Sequence, residues 1–342
     1  MSRPANTPLF FIELLRCIAA IAVVGIHVLG PYRHQVGLSD FHYWVFPVGL
    51  NAISRWAVPV FMLISGALLL SDARPFNCRH YLTRRLGKVV VPFVTWTLIY
   101  AFAASLLGGH WDVNGMLKLI ELSPNQPVWY HLWFFYDFIP LYFVIPLLAP
   151  LLNKMDEQRV RLLLAAWLCL TLMHWLKVDT PLRQNLILYS GYLVAGWYLF
   201  NHDQKDQLNL WKMLLGFSLG SNLLVTLWLD WRMSEYQTVM MSYKTLNTAL
   251  IACSLFVLAK YYAEQIPQDW RKPIQLISKY SFGIYLCHPL LLIPARELDL
   301  GIYQWFAHPV LALLVMIPLL LAIAMLVSAL LSRSRFTAWM VP

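Results

Sequence analysis

Three ionisable side chains sit inside the first hydrophobic run of this 342-residue chain, Phe11 to Gly30, FIELLRCIAAIAVVGIHVLG. They are Glu13, Arg16 and His27. A guanidinium can position the polar groups of a substrate. An imidazole, with an unperturbed pKa of ~6.5, can take a proton from a hydroxyl near neutral pH. Eleven steps at ~100° each bring Arg16 and His27 within ~20° of one helix face, ~16 Å apart along it. Glu13 precedes Arg16 by three residues, a spacing at which helical side chains meet, so it could neutralise and orient the guanidinium. His27 then sits alone near the other end. Taken singly, the His could be a hydrogen-bonding tie between helices and the Arg could snorkel to the headgroups. Their common face argues against two separate accidents.

The elements that must hold these residues are membrane helices. The chain is 59% hydrophobic and only 13% charged, with mean hydropathy +0.58, whereas a soluble domain is nearer half apolar and a quarter charged. An all-α, polytopic bundle of about ten transmembrane helices is expected, at 11–30, 46–71, 89–109, 131–152, 162–177, 185–200, 211–229, 246–262, 276–295 and 308–332. The second is expected to be split, because VFPVGLNAISRW is more polar than the VPVFMLISGALLL that follows it. No polar segment is long enough for a separate soluble domain, so 1–342 reads as one integral membrane unit. The first run is too long for a cleavable leader and contains Arg16.

The net charge of +9 is expected in cytoplasmic loops rather than on a nucleic-acid face. With the N-terminus placed in the cytoplasm, 17 of the 26 Lys and Arg, Arg3 among them, fall inside, 7 outside and 2 within spans. Both termini are therefore expected to be cytoplasmic. Five cysteines, an odd number with no C-x-x-C pair, read as small membrane hydrophobes. No metal site is expected, because the histidines are scattered along the chain and acids near them are scarce.

In this orientation several polar groups converge on the outer half. Arg55 opens SRWAVPVFMLISG, His131 and Trp133 lie in WYHLWFFYDF, and Tyr285 and His288 lie in SFGIYLCHPLLL. Each has a plainer reading. Trp129, Tyr130 and Trp133 could form an interfacial belt, the favoured reading for Trp129. Ser65-Gly66 could permit close helix contact, and Ser281 and Tyr285 could be interhelical ties. At the opposite end, RHYLTRRLGKVVVP carries Arg84, Arg85 and Lys88. These could be a positive-inside anchor on anionic lipid, or a clamp for phosphates, since Arg pairs bidentately with phosphate oxygens.

The chain resembles the acyltransferase 3 family of integral membrane acyltransferases. Four stretches carry the likeness in the family's order: Arg16-x(10)-His27 with Glu13 before it, SRWAVPVFMLISG, HLWFFYDFIPLYFVIPLL, and SFGIYLCHPLL. The resemblance implies transfer of an acyl group, usually acetyl from acetyl-CoA, to a hydroxyl of a surface glycan or its lipid-linked precursor. Arg16 and His27 match the family's functional pair, and His131, Tyr285 and His288 match further motif positions. Some relatives carry an extracytoplasmic esterase-like domain. This chain ends soon after its last span, so direct acetylation within the bundle is expected, in a bacterial inner membrane.

The expected division of labour follows. Arg84, Arg85 and Lys88 hold the CoA phosphates on the cytoplasmic side. Arg16, steadied by Glu13, lines an inner passage. His27 acts as general base, with or without an acyl-His intermediate, and Arg55, His131, Trp133, Tyr285 and His288 contact the acceptor. A water-accessible slot beside the first helix is expected to join the two ends. The rival reading is a transporter or flippase of a glycan or lipid-linked sugar, although no inverted repeat is evident.

Overall fold

The computed structural model describes residues 9–298 and 300–342, so Arg3 of the charge count lies outside the described residues. Every regular element among them is helical. The α-helices run α1 Phe10–Val28, α2 Phe41–Ser54, α3 Ala57–Leu69, α4 Cys78–Tyr81, α5 Gly87–Ser105, α6 Val113–Leu122, α7 Trp133–Leu152, α8 Glu157–Trp175, α9 Asn185–Asn201, α10 Leu208–Met233, α11 Leu246–Tyr262, α12 Gln268–Arg296 and α13 Pro309–Arg333.

Eight segments are long and apolar enough to cross a bilayer: α1, α2 with α3, α4 with α5, α7, α10, α11, α12 and α13. The chain is a polytopic membrane helix bundle. The two other expected spans exist as α8 and α9 but fall short, α9 with 17 residues and α8 because it opens on Glu157, Arg159 and Arg161. Both nevertheless run between the same two ends of the bundle. Arg161 donates to the Tyr198 hydroxyl at 2.9 Å at one end, and Asn185 donates to Asp137 at 2.8 Å at the other. Below, "inner" denotes the end that holds the start of α1 and most of the Lys and Arg residues.

The expected split of the second span falls at Arg55–Trp56, between α2 and α3. Pro59 explains its place. A proline has no N–H for the carbonyl four residues back, and its ring crowds that carbonyl, which here belongs to Arg55. The helix opens there and resumes at Ala57, with Val60 N bonding the Trp56 carbonyl at 3.0 Å. Arg55 therefore lies midway along the span instead of at its outer end.

Apolar burial does little to drive helices together in lipid, so close packing must do it. The pair α3 and α9 shows how. A Cβ at Gly66 would lie 2.0 Å from the Leu193 carbonyl oxygen, and one at Gly196 would lie 2.0 Å from that of Leu63. The two backbones touch at reciprocal glycines, as the Ser65-Gly66 reading anticipated. This contact backs the heart of the bundle, where α1 packs on α12 and α3. The periphery, by contrast, shows lipid-type surface: Phe217, Leu224 and Trp228 on α10 and Leu314 and Leu326 on α13 are exposed.

Residues 234–245, between α10 and α11, fold back between the helices. Met240 and Met241 are buried, and the Tyr192 hydroxyl donates to the Tyr243 carbonyl at 2.7 Å. Asn247, at the head of α11, donates to Asn222 of α10 at 3.1 Å, three turns in from the end of α10.

Gly66→Ala is expected to force α3 and α9 apart and to lower stability by about 1–3 kcal/mol or more, the usual cost of overpacking. The readout is thermal unfolding of detergent-purified protein. Ser65→Ala, one residue away, should change the midpoint far less.

Candidate active site

Three elements bring polar side chains to one place in the outer half of the bundle. His27 comes from the last turn of α1. Its ring lies 5.1 Å from that of His288 on α12 and 4.9 Å from that of Tyr130. His131 follows in a single 3-10 turn, Tyr130–Leu132, that leads into α7. Its ring is 6.1 Å from His288 and 5.3 Å from Tyr285. The histidines that looked scattered in sequence, with His27 alone, are thus a cluster of three. The premise behind the no-metal expectation therefore does not hold. Among the described residues, however, no three His, Cys, Asp or Glu side chains converge as metal ligands do.

The shape of α12 sets His288. Pro289 removes one backbone donor from the helix, and the Tyr100 hydroxyl of α5 enters the ladder beside it. That hydroxyl donates to the Leu286 carbonyl at 2.8 Å and accepts from Leu290 N at 3.0 Å. A side chain inserted into the ladder in this way is a recognised cause of helix bending. One turn before the proline, the Ile284 carbonyl accepts from His288 Nδ1 at 2.8 Å. A carbonyl can only accept, so Nδ1 carries the proton and Nε2 presents a bare lone pair. That Nε2 is buried without a partner, as are both ring nitrogens of His131. The Tyr285 hydroxyl donates to the His131 carbonyl and ties the 3-10 turn to α12.

Buried polar atoms without partners are costly inside a membrane. Those of His131 border a small cavity lined by Val23, Ile26, His27, Val58, His131, Trp133, Phe134, Tyr243 and Tyr285. Its ≈10 Å³ leaves room for about one water. His27, half-buried, is among its lining residues. Trp133 stacks on Tyr243, ring centroids 5.2 Å apart, and Tyr243 leads to Arg55. The Arg55 guanidinium donates to the Tyr243 hydroxyl at 3.1 Å and to the Tyr236 hydroxyl at 3.5 Å. Asn51 donates to the same Tyr236 oxygen at 2.8 Å. Its charge is offset by two phenols and, among the described residues, by no carboxylate.

At the inner end the arrangement differs from expectation in three ways. Glu13 accepts from Gln275 of α12 at 2.9 Å and, among the described residues, forms no ion pair with Arg16. A longer-range attraction to Arg16 remains. Secondly, of the presumed clamp only Arg84 lines the open basic cavity of ≈570 Å³, which Asn77, Arg79, His80 and Thr83 complete. Arg85 is held by Asp72 at 3.1 Å, and Lys88 is exposed outside the lining. Hydrogen bonds from Arg74, with the charges of Arg74 and Arg85, push the Asp72 carboxyl down to about 2, so the tie stays charged at neutral pH. Thirdly, the lining of the His27 cavity stops at Val23, two turns short of Arg16. Buried Ala20 and Val23 occupy the face between the pair, so the expected slot is closed here.

Several residues at the site gave no sequence signal. Tyr100 and Tyr243 read as any membrane tyrosine. Tyr130 was weighed only as a belt residue, and Arg296 was counted only as an outer charge, yet Arg296 lies 4.8 Å over the Tyr130 ring. Trp129, favoured for the headgroup level, stacks on Tyr100 with its Nε1 buried.

A helix bundle of this hydropathy is that of a polytopic membrane protein, and its unpartnered imidazoles gather at and beside a small buried cavity. The comparisons agree. The model of the acyltransferase 3 family, described as an acyltransferase domain, matches residues 9–333, and the chain belongs to that family. It is 22% identical over 299 residues to a protein of Staphylococcus aureus (strain MRSA252) named probable poly-beta-1,6-N-acetyl-D-glucosamine export protein, covering 81% of each chain. No solved structure matches it significantly.

Tyr100→Phe is expected to orphan the Leu286 carbonyl and the Leu290 amide at about 1–3 kcal/mol each. The unfolding midpoint should fall, and any activity that depends on His288 should fall with it. A midpoint equal to that of the parent would show that the hydroxyl does not hold the bend.

Proposed function

We propose that this chain is an acetyl-CoA-dependent membrane O-acetyltransferase of the bacterial inner membrane. It would move acetyl to a hydroxyl of a surface glycan or its lipid-linked precursor, with both chain ends cytoplasmic. The HLWFF and SRxxVPxF stretches are similar to the O-acetyltransferase of enterobacterial common antigen. The observation that carries the reading is the imidazole cluster. His27 reaches the cavity, and His288 presents a fixed Nε2 lone pair beside it.

In this reading the His27 ring takes the acceptor's hydroxyl proton as the oxygen attacks the thioester carbonyl. The carbon–sulfur bond breaks, and CoA leaves as a thiolate that collects the proton. His288 steadies the protonated His27 by accepting a hydrogen bond at Nε2. Arg55, poised on two phenols, faces the developing negative oxygen or the sugar. His131, Trp133 and Tyr285 shape the acceptor side. Arg84, with Arg79 and His80, takes the CoA phosphates, and Arg16 meets the donor arm further in.

The name of the Staphylococcus relative favours a second reading, export of a glycan. Export needs a passage wide enough for a sugar chain. The cavity has room for about one water and ends at Val23, which supports transfer over export.

His27→Ala is expected to lower acetyl transfer from labelled acetyl-CoA by about 10²–10⁴-fold, the usual contribution of a general base, while the protein still inserts and accumulates. Unchanged transfer would remove His27 from the chemistry. Arg84→Gln should raise the KM for acetyl-CoA several-fold, and Lys118→Gln on exposed α6 should not. Equal effects would reduce the basic cavity to a topological anchor.

A further inference from the structure

Three guanidinium groups form a rim outside the lining of the His27 cavity, and acyl transfer as described uses only Arg55. Arg296, at the end of α12, lies 4.8 Å over the Tyr130 ring, which is itself 4.9 Å from the His27 ring. It is therefore within two ring contacts of the proposed base. The same guanidinium rests against Gly30, where a Cβ would stand 3.3 Å from it. Arg33 also meets Gly30, its Nε donating to that carbonyl at 3.4 Å. Its guanidinium lies 5.6 Å over the Tyr236 ring, and the hydroxyl of that ring accepts from Arg55. Gly30 and Tyr236 thus link Arg296, Arg33 and Arg55 into one rim.

Burial sets these three arginines apart from most of the others without a carboxylate. At the inner end Arg74, Arg85, Arg159, Arg161 and Arg271 each have a carboxylate partner, and Arg79 and Arg84, which have none among the described residues, are exposed. Among the described residues Arg33, Arg55 and Arg296 have none. All three are half-buried. Like charges held together out of bulk water repel, and they mark a place where an anion is taken up. Guanidinium forks match phosphate oxygens bidentately, and three of them suit a group with more than one charge and several acceptor oxygens.

We infer that this rim binds a phosphate or diphosphate of the acceptor, about one sugar ring away from the hydroxyl that His27 activates. The acceptor is then a sugar carried on a phosphorylated membrane lipid, not a neutral finished polymer. The inference rests on the acyl-transfer reading of His27. It assigns Arg296 and Arg33 a positioning role that needs no contact with the reacting atoms. It also fits Gly30, where a Cβ would press on the Arg296 guanidinium at 3.3 Å and require it to shift.

The test is binding to purified protein in detergent, read without acetyl-CoA. The probe is N-acetylglucosamine linked through a diphosphate to a farnesyl chain, compared with the neutral farnesyl glycoside of the same sugar. Wild type should bind the diphosphate more tightly. Arg296→Gln and Arg33→Gln should each weaken that binding by about tenfold or more, with Arg296→Lys retaining part of it. Neither should alter binding of the neutral glycoside or of acetyl-CoA, which also shows that the variants are folded. Arg232→Gln, an exposed cation at the same end, should have no effect. Equal wild-type affinity for the two probes would overturn the inference, as would unweakened binding by both Gln variants. Displacement of the probe by phosphatidylglycerol at equal concentration would assign the rim to a phospholipid headgroup and overturn it too. Transfer of acetyl to the neutral glycoside as fast as to the diphosphate would sink this inference alone. Tight binding of the diphosphate without any acetyl transfer would sink the catalytic reading alone.

Discussion

Everything at the site depends on one constraint: inside a membrane, a polar atom must find a partner within the protein or remain costly. Most of the chain obeys it by forming helices and by letting hydroxyls bond the carbonyl a turn back, as Ser65 does to Phe61 and Thr95 to Val91. The region around the outer cavity does not. Both ring nitrogens of His131, Nε2 of His288 and Nε of Arg55 are buried and unpartnered there. Such a concentration is tolerated because the surrounding backbone is over-determined. Tyr285 ties the His131 turn to α12, Tyr100 braces α12, and Pro59 fixes the opening at Arg55. Proline and tyrosine do complementary work here. Prolines free carbonyls or remove donors, and tyrosine hydroxyls occupy the gaps from the neighbouring helix.

What the sequence revealed and what it hid follow from the same physics. Hydropathy located the helices because every crossing must be apolar for most of its length. The spacing of Arg16 and His27 was legible because both lie on one regular helix, where face follows from residue number. His288 and Tyr285 were legible as polar exceptions in an apolar run. The partnerships were not. That Glu13 would turn to Gln275 depends on how α12 is rotated against α1, and nothing local to either helix states that. Tyr236 and Tyr243 come from a connecting segment that folds back into the bundle, and a tyrosine in a loop looks the same whether it faces water or Arg55. The basic run before α5 was legible, but which of its side chains line one cavity was not. Asp72 withdraws Arg85, while Arg79 and His80 swing in on α4.

The closed stretch between Arg16 and His27 has a chemical rationale in the transfer reading. A thioester in a wet channel would meet water before it met a sugar hydroxyl, and a permanent polar slot through the bundle would leak protons. A site that excludes water strengthens the interactions within it and suppresses hydrolysis. Ala20 and Val23 are small side chains on an otherwise polar-ended face of α1, so the closure there is made by little bulk. On this view the helix has two polar ends and an apolar middle because donor and acceptor must meet while their two aqueous compartments must not.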